Sequence, residues 1–91
     1  MITRQQLTTA LGDGKTPFQT KGIDHHVTAI NLLRSKIPYS DLDAIIWGAD
    51  HEIIYLCDIH YALIYLDEED LIILADCNVH ITDDEDLAMF I

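Results

Sequence analysis

The second half of this chain is a series of apolar runs, each cut short by an acid. Between Cys57 and His80 it reads CDIHYALIYLDEEDLIILADCNVH, and Asp58, Asp67 and Asp76 break the longest runs. Elements here must therefore be short. No run reaches the roughly 18–20 apolar residues that a membrane span needs. A carboxylate is welcome at a helix start, where it accepts from unpaired backbone N–H groups and meets the positive end of the dipole. Asp50, Asp58, Asp67 and Asp76, spaced 8, 9 and 9 residues apart, thus read as capping and phasing. A true repeat would have units of roughly 20 residues or more.

Local signals predict helices along most of the chain. Thr3 with Gln6 is a capping-box pattern, Leu7, Ala10 and Leu11 share a face, and Gly12 suits the left-handed end of a first helix. GDGKTPFQTKG reads as a loop; it has a GKT but lacks the strand and earlier Gly of a phosphate loop. Asp24 is the expected cap of a helix over 25–35, with His25 and His26 as exposed polar residues and Ile37-Pro38 as its end. Ser40 with Asp43 predicts a third helix, burying Leu42, Ile45, Ile46 and Ala49, with Trp47 in the core or as an interface anchor. Tyr55, Leu56, Ile59, Ala62, Leu63 and Leu66 form a helical stripe in which Asp58 kinks or restarts the helix. Asp67 with Asp70 opens the next helix, which Asn78 can end in a left-handed conformation. Val79–Thr82 and Leu87–Ile91 flank an acidic link, as in a small hairpin or a docked extended tail.

Ninety-one residues, 49% of them hydrophobic, suffice for a single domain over 1–91 with one core. The expected fold is mainly α: a compact bundle of about five short helices with a C-terminal β-hairpin. The alternative is α+β, with 53–57, 61–66 and 71–75 as strands, because these runs are rich in β-formers. They lack strict alternation, which favours helix. Exposed Ile54, Tyr61 and Tyr65 would leave a second apolar face for a homodimer.

Charge carries the functional expectation. All five basic residues lie in the first 36 positions against two acids, giving +3; residues 37–91 hold fourteen acids and no Lys or Arg, giving −14. Such a field repels nucleic acid and anionic membranes and attracts basic protein surfaces. The N-terminal stretch lacks the apolar core of a signal peptide, so a cytoplasmic location is expected, and the two cysteines are expected to be buried thiols. Enzymatic activity is not expected, since no nucleophile elbow, phosphate loop or cofactor motif is present. The acidic clusters lack EF-hand spacing. One metal reading stands as the alternative: Cys57-x-x-His60 and Cys77-x-x-His80, with 16 residues between them, match the paired spacing of a structural zinc site. Otherwise no cofactor is expected.

The segments EIIYLCDI, YLDEEDLIILADCNV and DLAMFI resemble those of a class of small acidic proteins of bacteria and their phages or mobile elements. Some small acidic phage proteins inhibit host defence, anti-CRISPR proteins among them. The resemblance implies an inhibitory role and assigns no residue. The chain is thus expected to be a non-enzymatic acidic binding module that occupies the basic, nucleic-acid-binding surface of a partner protein, its carboxylates standing in for phosphates. Glu68, Glu69, Asp83, Asp84, Glu85 and Asp86 are the expected contact residues, with Trp47 as apolar anchor.

Overall fold

A computed structural model describes residues 1–12, 23–50 and 52–90. The loop expected over GDGKTPFQTKG lies almost entirely outside them. Among the described residues the elements run α1 (Arg4–Leu11), α2 (Ile23–Lys36), β1 (Gly48–Asp50), β2 (Ile53–Asp58), α3 (Ile59–Tyr65), α4 (Glu68–Asp76), β3 (His80–Ile81) and β4 (Asp86–Phe90). The strands form one antiparallel sheet in the order β1-β2-β4-β3. The fold is α+β, which corrects the mainly helical expectation. None of the described helices is long and apolar enough to cross a membrane.

Where a polar residue decides locally, the expected elements form. Thr3 accepts from Gln6 N–H at 3.1 Å while Gln6 Oε1 accepts from Thr3 N–H at 2.8 Å. Gly12 ends α1 at φ 73, and its carbonyl accepts from Ile81 N–H, tying α1 to β3. Asp67 and Asp70 exchange bonds of 3.1 and 3.0 Å across the first turn of α4. Asn78 follows that helix at φ 62. The C-terminal hairpin also forms, as β3 and β4.

Two segments depart from expectation. Residues 40–47 form turns and irregular backbone leading into β1 instead of a third helix. Arg34 holds this segment to the end of α2, donating to the carbonyls of Ile37 at 3.2 Å and Leu42 at 2.8 Å and stacking on Tyr39. Trp47 N–H then donates to Tyr55 O, which draws the chain into the sheet. Leu42 and Ile45 are buried, but Ile46, Trp47 and Ala49 are exposed.

The second departure is β2, expected as helix. Its register with β4 runs from Ile53↔Phe90 to Tyr55↔Ala88 and slips by one residue before Asp58↔Asp86. This bulge sets Leu56 and Cys57 together against Leu87, and all three are fully buried. On β4, consecutive Leu87, Ala88 and Met89 are all buried, so that strand is covered on both faces. Strict alternation is therefore missing for structural reasons, and its absence did not mean helix. Asp58 ends the strand and caps α3 by accepting from His60 N–H at 2.7 Å. The other two segments of the α+β alternative, 61–66 and 71–75, are helical almost throughout.

One apolar cluster joins the elements through residues such as Leu7, Leu33, Leu56, Leu66, Leu74 and Leu87, all fully buried. Each such Leu contributes roughly 1.5–3 kcal/mol before the entropy of ordering is counted. Ile54, Tyr61 and Tyr65, expected as an exposed dimer face, are half-buried against this cluster.

Candidate partner-binding site

The β3–β4 connection presents the acids Asp83, Asp84 and Glu85 to solvent. Glu85 N–H donates to Thr82 O, Thr82 N–H donates to Asp86 O at 2.8 Å, and Asp86 N–H donates to Thr82 Oγ1. Glu85 sits at φ 65, a conformation that normally favours Gly or Asn. Its neighbours hold it there: Glu85 O accepts from Ile59 N–H, and Arg4 Nη2 donates to its carboxylate at 2.6 Å. The turn is thereby anchored to both α3 and α1.

That anchoring aims two carboxylates at an aromatic surface. Asp84 and Asp86 line a cleft of about 240 Å³ with Trp47, Gly48 and Tyr55. Gly48 pairs with Tyr55 and Tyr55 with Ala88, so Tyr55 lies on the same sheet face as Asp86. Trp47 is 63% exposed. It also lines a second cleft, of about 530 Å³, with Leu42, Ile46 and Tyr61 and with Asp41 and Asp43. An exposed indole is thus shared by two clefts, each carrying a pair of aspartates.

Electrostatics at this end of the sheet are unfavourable. Asp86 sits directly across from Asp58, and like charges in that arrangement repel. Burial, then Asp58, then Asp84 raise the Asp86 carboxyl above the ordinary carboxylate range. Among the described residues, no Lys or Arg forms an ion pair with Asp58, Asp84 or Asp86.

Glu68 and Glu69 lie elsewhere, in the first turn of α4. Glu68 accepts from Gln6 Nε2 at 2.6 Å. Lys36 Nζ lies 3.5 Å from Asp70 and 3.8 Å from Asp67. The backbone N–H of Asp70, above all, holds the Asp67 carboxyl below its usual range, helped by Lys36. Of the expected contact residues, Asp84, Asp86 and Trp47 come together in one cleft. Asp83 and Glu85 flank it on the same turn, Glu85 being tied to Arg4, while Glu68 and Glu69 belong to the capped helix.

The Cys-x-x-His residues are distributed over different elements. Cys57 is buried in β2, and burial pushes its thiol up to about 12, far from the thiolate a metal would need. His60 is exposed in the first turn of α3, so the Cys57–His60 spacing spans a strand-to-helix break. Cys77 is buried at the end of α4. His80 is buried on β3, stacked on Phe90 with centroids 4.9 Å apart. Neither cysteine forms a disulfide among the described residues. Among the described residues, no group of three or more His, Cys, Asp or Glu is arranged to hold a metal ion. His26, expected at the surface, is buried instead, with Nε2 2.8 Å from Phe90 O. It couples α2 to β4.

Tyr55, which lines the cleft, and Asp58, which faces Asp86 across the sheet, were not singled out for contact by the sequence. Only the strand register places them beside Asp86, and nothing local to either residue signals it. Comparison of the chain with protein-family models, curated proteins and solved structures gives no significant match.

Proposed function

We propose that this chain is a non-enzymatic protein-binding module that occupies a basic surface of a partner protein. Its contact surface is the acidic turn Asp83–Asp86 together with Trp47. The observation that carries this reading is the cleft shared by the exposed Trp47, Tyr55, Asp84 and Asp86. Exposed aromatic anchors next to complementary charge dominate many interfaces. The excess of fourteen acids over residues 37–91 adds long-range attraction to a cationic surface. A groove that normally binds nucleic acid fits this field, and its occupation would make the module an inhibitor of the kind encoded by phages and mobile elements.

The test is capture of partners from a bacterial lysate by the immobilised protein, at low and high salt, followed by identification and direct titration. The expected partner is basic and nucleic-acid-binding, competes with its nucleic acid for the module, and loses affinity as salt rises. Trp47→Ala and the double variant Asp84→Asn/Asp86→Asn weaken it. A partner lacking basic surface, or affinity indifferent to salt, overturns the reading.

A further inference from the structure

We infer that the element of the partner seated on Trp47 is an extended, arginine-bearing peptide segment lying along β1. The inference rests on the binding role proposed above and specifies what that site recognises. It starts from the two clefts that share Trp47. Asp84 and Asp86 stand in one, Asp41 and Asp43 in the other, and the apolar surface of Ile46 and Tyr61 continues from the indole. Each aspartate pair is separated by one residue. The charge complement is a cation in each of two clefts that share one aromatic surface.

Three features select arginine on an extended backbone. A guanidinium stacks on an indole and offers a planar fork to carboxylates, which an ammonium cannot do as well. The chain already uses this contact internally, with Arg34 Cζ 3.9 Å from the centroid of the Tyr39 ring. Among the described residues, no Lys or Arg stacks on Trp47 in the same way. The backbone beside Trp47 is β1, one of the two edge strands of the sheet among the described residues, and an edge strand offers N–H and C=O groups to an added strand. In such a strand alternate side chains face the same way, roughly 7 Å apart, so one segment can present more than one cation to the same surface.

The site also contains its own proton linkage. Asp58 faces Asp86 from β2, Asp84 faces it from the turn, Tyr55 lies on the same sheet face, and Arg4 is engaged by Glu85. Burial and the two aspartates raise the Asp86 carboxyl. A bound guanidinium favours the ionised form, so binding weakens as pH falls through the raised value.

Trp47 is the only tryptophan in the chain, so its fluorescence reports the cleft directly. The probe is an acetylated, amidated nine-residue peptide alternating arginine with alanine. Lysine and citrulline versions are compared with it, and spermine serves as a cation without a peptide backbone. The arginine peptide is expected to change Trp47 emission saturably, to bind several-fold tighter than the lysine peptide and spermine, and to weaken on acidification. Asp84→Asn/Asp86→Asn is expected to weaken it by about tenfold, equivalent to about 1.4 kcal/mol. The citrulline peptide should not bind, and Glu69→Gln on α4 should leave affinity unchanged. Equal binding of all cations, unchanged emission, or equal weakening by Glu69→Gln overturns the inference. The binding role stands separately if a basic partner is captured in a salt-sensitive way yet arginine peptides leave Trp47 untouched. It fails if no such partner is captured.

Discussion

Two runs of four consecutive acids, Asp67-Glu68-Glu69-Asp70 and Asp83-Asp84-Glu85-Asp86, have almost the same composition and opposite surroundings. In the first, the backbone wants negative charge. Four N–H groups at the start of α4 lack partners within the helix, and Asp67 and Asp70 satisfy two of them reciprocally. Lys36 approaches both carboxylates, and Glu68 receives Gln6. In the second, the start of α3 is already capped by the Asp58 side chain and the Glu85 carbonyl, so no carboxylate of the run caps a helix. Asp86 faces Asp58 across the sheet, and the one described cation present, Arg4, engages Glu85. The first cluster is consumed by architecture. The second remains in excess, beside an exposed Trp47, and is therefore the better candidate for contact with another molecule.

The comparison breaks most visibly at Asp70, whose carboxylate is buried. Asp70→Ala leaves Asp67 N–H without its acceptor and is expected to cost about 1–3 kcal/mol. Asp84→Ala, in the exposed turn, should stay within about 0.5 kcal/mol of wild type. Urea unfolding of both variants measures the contrast, and equal losses would erase it.

The pH dependence separates the clusters by sign. Because the fold raises the Asp86 carboxyl, its ionised form opposes folding at neutral pH. That opposition fades as pH falls through the raised value. Asp86→Asn should therefore stabilise the protein at neutral pH by about 0.2–1 kcal/mol, the scale of a cross-strand charge pair, with the gain shrinking on acidification. Asp67 has the opposite sign, since its carboxyl is lowered. Its charge stabilises the fold above its ordinary value, and that contribution is lost as pH falls through the lowered one. Asp67→Asn keeps a capping oxygen and loses the charge, so it should be mildly destabilising at neutral pH and indistinguishable from wild type in acid. Chemical denaturation across the acidic range, run on both variants, reads the two slopes. Slopes of the same sign would contradict the contrast.

The smallest effect is expected at Arg4. Its pair with Glu85 is half-exposed on both sides, so Arg4→Gln should cost no more than about 0.5 kcal/mol. The loss should shrink with added salt. A larger loss would mean that Arg4 holds Glu85 at its positive φ, which Glu85→Gly would then relieve.

Reading the sequence succeeded where a single turn decides the outcome. Thr3 with Gln6, Asp67 with Asp70 and the left-handed Asn78 depend on residues within three or four positions of each other. Asp24, expected as a cap, lies instead inside the first turn of α2, and Asp58 caps α3 after a strand rather than restarting a helix. The hairpin over the tail was legible from two apolar pieces around an acidic link. Residues 40–49 and 53–58 were not. Ser40 and Asp43 carry a sound capping pattern, yet Arg34 and the strand pairing of Gly48 override it. Ile53 to Asp58 could be strand or helix by composition, and β4, some thirty residues later, decides. For the candidate site, Trp47 and the acids of the turn were identified as residue types, but their meeting was invisible.

The sequence by itself determined the capped helix ends, the acidic excess beyond Lys36 and the apolar content of the core, because these depend on near neighbours or on composition. Only the tertiary structure decided that Trp47 is exposed, that Tyr55 and Asp58 belong with Asp86, and that Lys36 reaches the caps of one acidic run while Arg4 reaches only Glu85 of the other. Those outcomes follow from strand register and from which cation reaches which carboxylate. Both are set by contacts between residues far apart in the chain, whose closure no local pattern encodes.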